Sequence, residues 1–190
     1  MERNRLTTQI EVHFAPPEPA SECLLSSPAY AGCGDQPKGA IMTSSLYDDA
    51  GGLEGLRRLS VAFYEKVLAD DELAPVFANF TPAHVEHVAV WLAEVFGGPA
   101  EYTARLGGHH ALLASHLGIG ISGEQRQRWL PLMADAIGEV LPGRPELSAA
   151  LMDYFEWGTK IAQDVSRDPV GTDLGKPGPT PRWGYQGLIG

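Results

Sequence analysis

Between residues 44 and 166 the apolar positions recur at helical spacing, and no stretch alternates with the period of two that a half-buried strand requires. A short turn of helix is expected over Ser45–Ala50, stopped by Gly51-Gly52. A longer helix is expected over about 53–69, where Leu56, Leu59, Phe63 and Val67 form one stripe and Arg57, Arg58, Glu65 and Lys66 face water. Tyr64 sits at the edge of that stripe. Asp70-Asp71 and Pro75 break the pattern, and Val76, Phe77 and Phe80 mark an apolar corner. Thr81 as cap and Pro82 at the first position open the next helix, whose buried side carries Val85, Val88, Leu92, Val95 and Phe96. Gly97-Gly98-Pro99 stops it. Residues 100–121 are weakly patterned, and Gly118 and Gly120 limit any helix there to a turn or two. Ser122 and Gln125 form a capping box that opens a helix to about Leu141, with Trp129, Met133, Ala136, Ile137 and Val140 inward. Pro131 is expected to kink it. A last helix spans about 146–165, with Leu147, Leu151, Tyr154, Phe155 and Ile161 on its apolar face. The pattern predicts an all-α domain of four substantial helices, packed ridge into groove.

The flanks read differently. Residues 1–43 hold 5 of the 15 prolines without clear periodicity, and residues 167–190 hold 4 prolines and 6 glycines. Both suit flexible, solvated extensions, with Trp183 and Tyr185 expected to stay undocked. The domain is therefore placed at 44–166, and Met42 offers an alternative translation start. The chain of 190 residues carries a net charge of −10, and 17 of its 24 acidic residues but only 8 of its 14 basic ones fall within 44–166. Phosphate binding needs clustered Lys and Arg, so nucleic acid is excluded as a partner. No apolar run approaches the ~20 residues of a membrane helix. The opening MERNRLTTQIEVHF lacks the apolar core of a secretory signal, which makes the cytoplasm the expected compartment. Cys23 and Cys33 lie outside any CxxC or CxxCH pattern and read as incidental thiols.

Chemistry then rests on histidine. The chain has no nucleophile elbow, no phosphate loop and no dinucleotide fingerprint. Of the six histidines, His13 lies in the N-terminal extension, and His84, His87, His109, His110 and His116 lie in the domain. His116 shares a helix face with Leu112 and Leu113, which suits either a core histidine or a ligand. His84 and His87 form HxxH near a helix start. Together with His109 and His110 they allow a four-histidine metal site, whereas the Glu-x-x-His signature of di-iron bundles does not occur.

The order of these elements carries a family resemblance. Phe63-Tyr64 in the first long helix is followed by Phe77 at the corner and by HVAVWLAEVFGGPAEYT from His87 to Thr103. Gly107-Gly108-His109-His110, His116 and ISGEQRQRWLPLM from Ile121 to Met133 come next. The most specific spacing puts a histidine, His116, 13 residues before a tryptophan, Trp129. From Leu46 to about Ser166 the chain resembles the truncated haemoglobins of group II.

That resemblance implies a 2-on-2 globin-like helical sandwich around haem b (iron protoporphyrin IX). It implies His116 as the proximal iron ligand, Tyr64 as the distal tyrosine and Trp129 as the tryptophan that marks the group. Phe77 falls where many members carry Tyr or His, which removes one donor. His84 falls at the distal position of its helix, where it acts either as a donor or as a direct iron ligand. Phe63, Phe77, Val88, Leu92, Leu112, Leu113 and Met133 are the implied haem-pocket residues. One neutral imidazole nitrogen suffices to hold the iron and leaves the opposite face for gas. Dioxygen takes on negative charge when bound, and the Tyr64 hydroxyl and Trp129 indole N–H are donors for it. The expected partners are dioxygen, NO, CO or peroxide. Reversible binding is the leading reading. The alternatives are NO dioxygenase or peroxidase chemistry in the same pocket, served by an unidentified reductase, and a non-haem helical metal-binding or interaction domain.

Overall fold

The computed structural model describes residues 44–176 and 178–189. The expectations placed on His13, Cys23, Cys33, Met42 and the 1–43 extension lie outside the described residues. Among the described residues seven α-helices follow in order: α1 (Leu46–Asp49), α2 (Gly52–Leu68), α3 (Pro82–Val95), α4 (Glu101–Leu106), α5 (Gly108–His116), α6 (Gly123–Val140) and α7 (Pro145–Val165). A 3-10 turn at Ala74–Phe77 forms the apolar corner. Two short strands, β1 (Arg182–Gly184) and β2 (Gly187–Ile189), pair antiparallel after the last helix.

The four long helices lie where the periodicity puts them, because each has one continuous apolar face and a breaker at each end. The capping box is made: Gln125 N–H donates to Ser122 Oγ at 3.1 Å, and Ser122 N–H donates to Gln125 Oε1 at 2.9 Å. Thr81 holds the extended cap conformation, but its side chain makes no capping bond, so α3 starts on the fixed φ of Pro82 instead. α6 is continuous through Pro131. Residues 100–116 give more helix than their pattern suggests. Gly107 (φ +85°) and Gly108 (φ +65°) adopt the left-handed conformation that only glycine takes cheaply, which ends α4 and starts α5 in a new direction.

Two helix pairs, α2 with α3 and α6 with α7, join where α2 lies against α6. Leu56, Leu59, Phe63 and Val67 of α2 are buried there with Met133 and Ile137 of α6 and Leu151 of α7. Each large side chain so buried contributes roughly 1.5–3 kcal/mol.

The segment after α7 is not the solvated tail its composition suggests. Trp183 is 7% exposed and donates its indole N–H to Ala150 O at 3.2 Å. Tyr185 donates its hydroxyl to Asp49. Arg182 donates to Glu94 O at 2.7 Å and to Gly98 O at 3.3 Å, at the C-terminal end of α3. Glu94 is in the last turn of α3 and Gly98 lies just past its end, so the guanidinium there meets the negative end of the helix dipole. The aromatic pair therefore docks, contrary to expectation, because the tail's few large side chains outweigh its Pro and Gly content. Among the described residues no helix is long and apolar enough to cross a membrane.

Candidate functional site

A cavity of about 450 Å³ opens between the two helix pairs, a volume typical of small-molecule and cofactor sites. Tyr64 of α2, Phe77 of the corner, His84, Val88 and Leu92 of α3, Leu112, Leu113 and His116 of α5, and Trp129 of α6 all lie on its wall. Two residues expected there are displaced. Phe63 and Met133 are 1% exposed in the helix core and off the wall. Phe63 is next to Tyr64 in sequence, so the roughly 100° step of the helix turns it toward α6 instead. There it backs Trp129, with ring centres 4.4 Å apart. Met133 follows Trp129 by one turn and packs deeper along α6.

His116 is the last residue of α5. Its Nδ1 lies 2.8 Å from Leu112 O, one turn back, and 3.5 Å from Ser115 Oγ. A carbonyl oxygen only accepts, so Nδ1 carries the proton of this bond. In the neutral ring the lone pair is then on Nε2, and the ring orientation is fixed from behind. Metal-ligating histidines are tethered in the same way through the nitrogen that does not hold the metal.

Across the cavity Tyr64 sits in an aromatic nest. Its ring centre is 5.0 Å from Phe80, 5.4 Å from His84 and 5.6 Å from Phe77. Burial pushes its hydroxyl pKa up, so it stays protonated and able to donate. His84 is exposed and lines the cavity, with the Phe80 and Phe77 rings 5.7 and 6.2 Å away. Desolvation lowers its pKa, and repulsion from His87 and His116 lowers it further, which favours the neutral ring.

The rear wall holds aromatic residues whose sequence pattern reads only as core or loop. Trp91 donates its indole N–H to the buried Tyr154 hydroxyl at 2.7 Å. Its ring stacks on His109 at 5.8 Å and meets Tyr102 edge-on at 5.0 Å. All four line the cavity, as does Trp157. Desolvation lowers the pKa of His109, partly offset by its hydrogen bond to the Pro179 backbone. These side chains come from α3, α4, α5 and α7, so no local spacing announces them. The signal in the sequence is only the clustering of Trp, Tyr and His on otherwise apolar helix faces.

The four-histidine metal site does not form. His84 and His109 reach the cavity from different helices, and among the described residues no group of three or more His, Cys, Asp or Glu comes together.

Residues 45–157 match the family model described as bacterial-like globin. The chain is 35% identical over 113 residues to a group 2 truncated haemoglobin of Bacillus subtilis, covering 55% of this chain and 85% of that protein. The structure of a truncated oxygen-avid haemoglobin from Bacillus subtilis superposes with a TM-score of 0.56 at 31% identity, over 65% of this chain and all of that one. A thermostable haemoglobin from Thermobifida fusca superposes equally, with a TM-score of 0.56 at 31% identity over 66% of this chain and 99% of that one.

Proposed function

Since this chain belongs to the bacterial-like globins, and among them to the group 2 truncated haemoglobins, we propose that it binds haem b through His116 and takes up dioxygen on the side of Tyr64 and Trp129. The observation that carries this reading is His116 itself. Its Nδ1–H is committed to Leu112 O, which leaves Nε2 as the ring nitrogen for iron on the wall of a cofactor-sized cavity.

The rest of the wall fits the group. Leu112, Leu113, Val88 and Phe77 are only half-buried by protein, which suits apolar side chains that cover a flat hydrophobic ligand. Haem iron, when bound, supplies the open coordination position at which a diatomic gas is held. The chain's own residues do the rest. His116 fixes the cofactor from one side. The Tyr64 hydroxyl and Trp129 indole N–H, neither hydrogen-bonded to another described residue, are free to donate to a ligand that gains negative charge. His84 is a third donor, or an internal competitor for the open position. Two or three donors favour slow release of oxygen, and a similar Bacillus subtilis protein is described as oxygen-avid. NO, CO and peroxide are the other ligands of the same pocket.

The test is spectroscopic. His116→Ala is expected to lose stable haem uptake, seen as loss of the Soret band in protein reconstituted with haemin, whereas His84→Ala retains it. A normal Soret band and normal gas binding in His116→Ala would overturn the ligand assignment. A change of the ferrous His84→Ala spectrum from six- to five-coordinate assigns His84 as a direct ligand, while faster oxygen release alone assigns it as a donor.

A further inference from the structure

The cavity wall is not finished by the helices. Pro181 lies on it, and the Pro179 carbonyl holds the ring of His109, which stacks on Trp91. Behind the wall, the Trp183 ring lies 5.8 Å from Tyr154 and 5.3 Å from Trp157, both of which face the cavity. Tyr154 in turn holds Trp91 by its hydrogen bond. Arg182 fastens the same segment to the end of α3, and Thr180 Oγ1 lies 2.9 Å from Thr103 Oγ1 beside the Glu94 carboxylate. All of this segment lies beyond residue 157, where the family model's match ends.

We propose that residues 179–185 form a strap that completes the cofactor cavity and slows escape of the haem, with Trp183 as the positioning residue for the Tyr154–Trp91 wall. The proposal rests on the haem reading above. The physical argument is that the strap ties α3 and α4 to α7 across the rear of the cavity. Trp183 joins the edge of the buried core, where its printed contacts are to Ala150, Tyr154 and Trp157 of α7. Losing its contacts is therefore felt first at the wall made by α3, α4 and α7, and local opening of that wall sets the rate at which a buried ligand leaves. An indole buried among other aromatic rings is worth more than its area alone, so its removal is felt by each ring it touches.

Full-length protein is loaded with haemin and mixed with excess apomyoglobin as scavenger, and transfer is followed in the Soret region. Trp183→Ala is expected to release haem faster by about tenfold or more. Arg182→Gln, which changes only a surface anchor, is expected to speed release less. Trp183→Phe keeps the ring contacts and is expected to restore most of the retention. Helix content by circular dichroism should stay close to that of the parent, and because Trp183 is buried, Trp183→Ala should lower the melting temperature of the haem-free protein, but by less than that of the haem-loaded form. Variants that fold and hold haem as long as the parent overturn the strap alone. The strap is likewise overturned if Trp183→Ala lowers the melting temperature of the haem-free and haem-loaded forms equally, because the residue is then a general stabiliser. A parent protein that shows no Soret band overturns the haem reading, and this proposal with it.

Discussion

At the scale of single residues, the distal side turns on two donors of different origin. Tyr64 reaches the cavity from α2 and Trp129 from α6, and both keep an aromatic ring when changed to Phe. Each variant is expected to release oxygen faster by about tenfold or more, since a hydrogen bond to a charged group contributes roughly 1.5–3 kcal/mol. Flash photolysis or stopped-flow dissociation measures this directly, and unchanged rates in both variants would sink the assigned roles. The double variant should fall short of the product of the two effects if both donors address one ligand atom. Nine of the eleven site residues that the resemblance implies lie on this cavity wall, and helix geometry decides which side of its helix a residue occupies. Phe63 and Met133 escape it for the same reason: one position or one turn away from a wall residue, the helix already points into the core. The contacts that join Trp91, His109 and Tyr154 were illegible because they are made by chain segments far apart in sequence.

At the scale of elements, the long helices were readable to within about a residue, since stripe, cap and breaker agree at each end. The α4–α5 corner was readable as glycine but not as geometry. A Cβ placed on Gly107 would lie 2.9 Å from the Cβ of Ala111, and its φ of +85° is unfavourable to any L side chain. Gly107→Ala is therefore expected to cost at least about 1–2 kcal/mol in urea unfolding. It should also disturb the seat of His116, which rides on the same short helix, so haem affinity should fall with stability. A variant as stable as the parent would show that the corner relaxes without strain. The hairpin after α7 was not legible at all. Strands of three residues leave almost no alternation to detect, and neighbouring Pro and Gly mask the one tryptophan that anchors them.

At the scale of the whole molecule, the acidic charge has one buried focus among the described residues. Glu94 is 3% exposed. Burial alone would raise its pKa, but donation from the Thr103 hydroxyl and N–H, aided by Thr180 and Tyr102, holds the carboxyl below its ordinary value. The folded protein thus binds this proton less readily than the unfolded chain. Its stabilising contribution is complete above the ordinary pKa of 4.5 and is lost as pH falls through the lower folded value. Glu94→Gln is expected to cost about 1–3 kcal/mol at pH 7 and progressively less below pH 4.5, which flattens the acid limb of the stability curve. Urea midpoints at about pH 7 and about pH 3.5 check this, and an equal loss at both would rule out the charge as its cause.

The strap also has a consequence in time. Ribosomes deliver the chain in order, and domains take shape as they emerge. Every helix that meets the cavity precedes Pro179, Pro181 and Trp183 in the chain, so any species with its helices formed and the hairpin undocked has one wall missing. Cofactor that enters then does so through an opening that closes behind it when the hairpin docks. Loading during synthesis and loading of the finished protein are thus different kinetic problems, the first with an open door and the second with a latched one.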